Sequence, residues 1–136
     1  PYNQKIDFVS DMYNNKLAKL VAGKLKVPVL EQFNDTVHTN NQNVICVDDR
    51  LLLGSGIAEV RQLKERGFNP THLLTILDFE LFGVREKYEQ LGCKVESVLT
   101  LSSLLKYCEE IGYPIDHAVI RNRIIEKHKR NLFSVK

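Results

Sequence analysis

The sequence of 136 residues contains no apolar run approaching the roughly 20 residues that a bilayer-spanning helix requires. Its opening, Pro1-Tyr2-Asn3-Gln4-Lys5, also lacks the apolar core of a secretory signal. A cytoplasmic protein with no membrane partner is therefore expected. Cysteine is scarce. Cys46, Cys93 and Cys108 are odd in number and far apart, with no two at metal-ligand spacing, which speaks against a disulfide framework or a thiolate metal site. Reduced structural thiols are expected, and no metal site is assigned. Internal repeats, linkers and low-complexity tracts are lacking too, so residues 1–136 read as a single domain. The composition, 43% hydrophobic and 26% charged, supports one packed core and excludes a fibrous or fully disordered chain. A start on Pro rather than Met is expected of a processed terminus, such as release from a polyprotein.

Charge is unevenly placed. The formal net charge is +2, but Arg121, Arg123, Lys127, Lys129, Arg130 and Lys136 against Glu126 give the last sixteen residues +5, leaving −3 for the rest. Residues 113–136 are expected to form a basic C-terminal helix. Such a helix could contact RNA or another polyanion, while the same cations also suit a helix C-terminus and solubility.

Along the chain, apolar runs alternate with helical periodicity. Lys5 to Val9 and Val27 to Leu30 read as strands flanking a helix over Lys16–Lys26, whose apolar residues are Leu17, Leu20, Val21 and Leu25. Residues 31–43 are polar and read as a loop. Val44-Ile45-Cys46-Val47 is a strand buried on both faces, ending in Asp48-Asp49, and Gly54 and Gly56 bound the turn that follows. A helix from Ile57 to Arg66, a strand from His72 to Asp78 and a helix from Val84 to Leu91 come next. A strand from Val95 to Leu99, a helix from Ser102 to Ile111 capped by Ser102 or Thr100, and a last helix from about Asp116 complete the chain. This rhythm implies an α/β fold: a Rossmann-like, doubly wound, mainly parallel sheet with helices on both faces. In such sheets ligands sit beyond the carboxyl ends of the strands. That edge would hold Asp48, Asp49 and a turn able to cradle a sugar phosphate.

The order Val44 to Gly56, Leu77-Asp78-Phe79-Glu80-Leu81-Phe82-Gly83 and Ser97-Val98-Leu99-Thr100-Leu101-Ser102 resembles the type I phosphoribosyltransferases, and most of all the orotate phosphoribosyltransferases. Members of that family carry two acidic residues at a strand end, a Thr/Ser and Gly loop, a Leu-Asp-Arg-Glu-x-Gly-Gly segment and a Ser, Thr-Leu-Ser junction. The resemblance covers nearly the whole chain, without the amino-terminal portion of full-length relatives. It implies that Asp48 and Asp49 face the ribose hydroxyls of phosphoribosyl pyrophosphate, that Leu52, Leu53, Gly54, Ser55 and Gly56 occupy the 5′-phosphate loop, and that Phe79 rims the base site. It also implies Mg²⁺ with phosphoribosyl pyrophosphate if the chain is active, and a homodimer.

The departures from the family pattern are concentrated on the charge chemistry. Leu52, Leu53 and Gly56 stand where hydroxyls are usual, and each lost charge-assisted hydrogen bond removes about 1.5–3 kcal/mol. No Lys or Arg occurs from Val27 through Asp49, where the family has a cationic loop; only His38 remains there. The turn from Ser10 to Asn15, at the family's pyrophosphate contact, carries Asp11 and no glycine. Phe79 replaces the arginine that contacts orotate. Among the aromatics near strand ends, Tyr13, Phe33, Phe79 and Phe82, Phe79 is the best placed to meet a base. Enzymatic transfer needs at least ~8 kcal/mol of transition-state stabilisation, and its main electrostatic sources are missing together. The expectation is a catalytically impaired domain acting as a binding or structural module, needing no cofactor, with a nucleotide or sugar phosphate as possible ligand. The enzymatic alternative is phosphoribosyl transfer to a pyrimidine base. The third reading is RNA or polyanion binding by the C-terminal helix.

Overall fold

The computed structural model describes residues 5–12, 16–30, 40–51, 54 and 56–134, with side chains described through residue 127. Five strands, β1 (Phe8–Asp11), β2 (Val29–Leu30), β3 (Asn43–Leu51), β4 (Asn69–Asp78) and β5 (Lys94–Thr100), form one parallel sheet in the order β2-β1-β3-β4-β5. Helix α1 (Lys16–Leu25) joins β1 to β2, α2 (Ile57–Glu65) joins β3 to β4, and α3 (Val84–Gln90) joins β4 to β5. Helices α4 (Leu101–Glu110) and α5 (His117–Ser134) close the chain.

The sheet divides the core into two layers, as a doubly wound fold requires. On one face Ala18 and Ala22 of α1 pack on Val9, Ile45 and Val47, with Ile6, Val21 and Leu74 at the margin. On the other, Ile57, Val60 and Leu63 of α2 and Val84 and Tyr88 of α3 cover Val44, Cys46, Leu73 and Val95. Alternate residues of one strand thus serve opposite layers, which is why Val44 to Val47 is continuously apolar. Cys46 and Cys93 are free and buried in the second layer. Burial raises both thiols, Cys93 to about 12 against the opposing influence of Lys64, so neither is a ready nucleophile.

Strand boundaries differ from the sequence reading: β2 begins at Val29 instead of Val27 and β4 at Asn69 instead of His72, and the first and third strands shift where it matters for the site. The first strand begins at Phe8 and ends at Asp11, because its partners on β3 are Val44 to Val47. Asp11 therefore belongs to the strand and not to the turn after it. The central strand does not end at the paired aspartates: β3 continues through Asp48, Asp49 and Arg50 to Leu51, held by β4, with Asp48 opposite Thr75 and Leu51 opposite Asp78. Polar residues persist in this strand because it outruns β1, whose last register partner is Val47.

Thr100 is the N-cap of α4. Its hydroxyl accepts from the Ser103 amide at 3.1 Å while the Ser103 hydroxyl accepts from the Thr100 amide at 3.0 Å. Asp116 caps α5 through the Val119 amide at 3.1 Å. No helix among the described residues is long and apolar enough to cross a membrane.

Candidate functional site

In a sheet ordered β2-β1-β3-β4-β5, the connection from β1 runs toward one edge and that from β3 toward the other, so their carboxyl ends part and leave a crevice. Asp11 and Met12 form one side of it and the β3 extension the other. Asp48 is buried on that extension, while Asp49 and Arg50 are exposed. The two acids expected from the sequence are thus brought to the crevice, from within a strand.

With no β1 neighbour beyond Val47, the amides of the extension need other partners on that side. Asp48 supplies one: its Oδ1 accepts from the Asp49 amide at 2.8 Å. Burial, followed by a hydrogen bond with the Asp49 side chain, pushes the Asp48 carboxyl up to about 7, against the opposing pull of the Asp49 and Arg50 amides. Near neutral pH the Asp48 carboxyl is therefore partly protonated. It can then both donate and accept, which matches a hydroxyl-bearing ligand.

Of the expected phosphate loop, Leu52, Leu53 and Ser55 lie outside the described residues, and Gly54 and Gly56 are placed. Gly54 takes a left-handed conformation, φ +68°, which a side chain would strain. Gly56 is needed for packing: a Cβ there would collide with the Met12 methyl and come within 2.8 Å of the Tyr88 hydroxyl. The end of β1 and the start of α2 are therefore locked together under the crevice. Leu51, next to the loop, is 2% exposed and fills the α2–α3 layer.

Asp78, at the end of β4, is not open to a ligand. Its Oδ2 takes a 2.8 Å ion pair from Arg85 of α3, and its Oδ1 accepts from the Glu80 amide at 2.7 Å. Arg85 also donates to the Val95 carbonyl at 2.8 Å, tying α3 to β5. Phe79, half-buried, continues the β3–β4 pairing by donating its amide to the Leu51 carbonyl at 3.1 Å, which sets it beside the β3 extension. Glu80 adopts φ +58° and its carboxylate accepts from the Ser102 amide at 2.7 Å, occupying the start of α4. Phe82 is fully exposed. Among the described residues no three His, Cys, Asp or Glu side chains converge on a metal position.

A basic residue of α5 reaches the carboxyl edge of the sheet, at the start of α4. Arg121 donates to the Ser102 hydroxyl at 2.7 Å, which fastens α5 to the start of α4. Arg123 and Lys127 are exposed, and the side chains of Lys129 and Arg130 lie outside the described residues. Sequence reasoning missed Met12, Arg85 and Glu80. Only Met12, the single methionine, has a legible signal, as an apolar residue next to a strand end.

No family model and no curated protein matches the chain. Solved structures do. UMP synthase of Leishmania donovani superposes with a TM-score of 0.73 at 17% identity, over 91% of this chain and 30% of that one. Orotate phosphoribosyltransferase of Aeropyrum pernix gives 0.62 at 23% identity, over 79% and 65% of the two chains. Adenine phosphoribosyltransferase of Thermoanaerobacter pseudethanolicus gives 0.63 at 14% identity, over 74% and 73%. The chain thus spans under a third of the first of these proteins and about two thirds of the second. At such identities the agreement speaks to architecture, and with the parallel sheet and its switch-point crevice it establishes that this chain has the type I phosphoribosyltransferase fold.

Proposed function

We propose that the chain is an orotate-type phosphoribosyltransferase-like domain impaired in group transfer, serving as a binding or structural module and assembling as a homodimer. One observation carries this reading: the adjacent acids Asp48 and Asp49 stand at the switch-point crevice while the cations needed for a departing pyrophosphate are missing from residues 27–49. Phe79 in place of an arginine removes the partner of a carboxylate base. Asp48 and Asp49 are hard oxygen donors of the kind Mg²⁺ takes together with substrate phosphates, so they suit that ion if a phosphorylated sugar is bound. Mg²⁺ would there neutralise phosphate charge. A cytoplasmic location belongs to the same reading, in keeping with the three free cysteines.

The test is turnover. With orotate, phosphoribosyl pyrophosphate and Mg²⁺, loss of orotate absorbance is expected to stay at the rate without protein. Turnover abolished by Asp48→Asn or Asp49→Asn would establish the active alternative instead. The polyanion reading rests on exposed Arg123 and Lys127. It requires RNA affinity that falls with salt and with Arg123→Ala and Lys127→Ala.

A further inference from the structure

We propose that the groove between α1 and the sheet is a binding site for a single long-chain fatty acid, its acyl chain along the groove and its carboxylate at Lys5 and Lys24. The groove lies on the face of the sheet opposite α2 and α3 and is independent of the function proposed for the crevice. Helix α1 carries more apolar surface than β1 and β3 take up. Ala18 and Ala22 pack closely on Val9, Ile45 and Val47, whereas Leu20 and Leu25 stay exposed, and the sheet runs on past the helix to β4 and β5. What remains is a groove of about 770 Å³, walled by Leu20, Val21 and Leu25 of α1 and by Ile6, Ile45 and Leu74. Sites that hold small molecules span about 300–1,000 Å³.

The chemistry of the wall is narrow. Its described residues are aliphatic apart from Lys5 and Lys24, so no aromatic ring stacks a planar ligand and no hydroxyl, amide or carboxylate side chain holds a polar one. An aliphatic body with one anionic end matches such a wall. Residues 16–30 contain Lys16, Lys19, Lys24 and Lys26 and no Asp or Glu. The acids that neighbour the wall in sequence or register are engaged: Asp7 accepts from the Asn43 amide at 2.9 Å and stands 3.8 Å from Lys5, and Glu96, opposite Leu74, pairs with Lys94 at 3.4 Å. Lys24 makes no ion pair among the described residues. Both wall lysines are exposed, so their pull on a carboxylate is worth only about tenfold in affinity. Each methylene taken fully out of water adds about fourfold, so the chain dominates and the head group sets the polarity. Ile76 and Val98, exposed on the same face, extend the groove and make a second copy the competing occupant. An acyl chain in the groove and a second copy over it exclude one another, so the ligand opposes assembly through this face.

Calorimetric titration of residues 1–136 with dodecanoate below its micellar concentration tests this, with octanoate and dodecyltrimethylammonium as comparisons. Dodecanoate is expected to bind as a single molecule per chain. Octanoate, shorter by four methylenes, should bind at least about tenfold more weakly, and dodecyltrimethylammonium, with the same chain and the opposite charge, about tenfold more weakly. Salt should narrow the gap between the two head groups and leave the gap between the two chain lengths in place. Lys5→Gln combined with Lys24→Gln should weaken dodecanoate about tenfold without changing circular dichroism. Val98→Glu, outside the groove wall, should bind dodecanoate at least as tightly as the wild type. Equal binding of both head groups, several molecules per chain, indifference to the lysine substitutions, or no binding at all would each overturn the inference. Binding confined to Val98→Glu would give the wild-type groove to a second copy and overturn it equally. None of those outcomes bears on transfer at the crevice, which turnover tests.

Discussion

Asp48 is the residue whose environment and sequence disagree most. An aspartate titrates near 3.8 in an open chain, yet burial and the bond to Asp49 bring it to about 7 here. Because the folded value is the higher one, the fold is favoured by the protonated form. That contribution is complete below about pH 4 and is lost as pH rises toward 7. Asp48→Asn keeps an oxygen to accept from the Asp49 amide and removes the buried charge. The variant is expected to be close to wild type in stability near pH 4 and more stable by about 1–2 kcal/mol near pH 8, discounted for the solvent at the crevice. Urea unfolding midpoints across that range measure it. A difference that stays constant with pH would refute the assignment.

At the scale of elements, β4, α3, β5 and α4 are fastened by polar side chains that no periodicity announces. Arg85 bridges Asp78 and the Val95 carbonyl, and Glu80 reaches Ser102 across 22 positions of sequence. Replacing Arg85 by Met leaves Asp78, 4% exposed, as a buried carboxylate without its cation. A loss of about 2–3 kcal/mol is expected, below the full cost of breaking a buried pair because Arg85 is itself partly exposed. Arg85→Met combined with Asp78→Asn should recover part of that loss, and a double-mutant cycle by thermal or urea unfolding measures the coupling. These clamps mark the limit of what was legible beforehand. The element order, the parallel sheet and the crossovers could be read because strands covered on both faces are continuous apolar runs separated by helical spacing. The aspartates of the site could be read from their place after such a run. The extent of β3 through Asp48 to Leu51 could not, since it depends on β4 reaching further than β1, a property of register between strands and not of either strand alone. The apolar character of Met12 is legible beside a strand end, but its contact with Gly56, like that of Arg85 with Asp78, belongs to the folded chain alone.

For the whole molecule, the two faces of the sheet are unequally covered. Among the described residues, α2 and α3 shield one face across β3, β4 and β5, whereas on the other α1 covers β1 and β3 and leaves Ile76 of β4 and Val98 of β5 exposed. Val98 is 77% exposed and Ile76 40%, on the same face as the partly buried Leu74, and Leu20 of α1 is 67% exposed beside it. A groove of about 770 Å³ between α1 and the sheet, lined by Leu20, Val21, Leu25, Ile45 and Leu74, continues this surface. Parallel sheets are stable with both faces buried, and contiguous apolar patches on soluble proteins mark contacts. A second copy supplying the missing layer fits the homodimer of the proposed function, because a twofold contact lets the Val98–Ile76 ridge of each protomer enter the groove of the other. Light scattering behind size exclusion is expected to give about twice the 15.7 kDa chain mass for the wild type, and the single-chain mass for Val98→Glu. That side chain is largely exposed in the protomer, so the substitution should leave circular dichroism unchanged and act only on assembly. A wild-type protein that remains at the single-chain mass as its concentration is raised would exclude this face as a dimer contact.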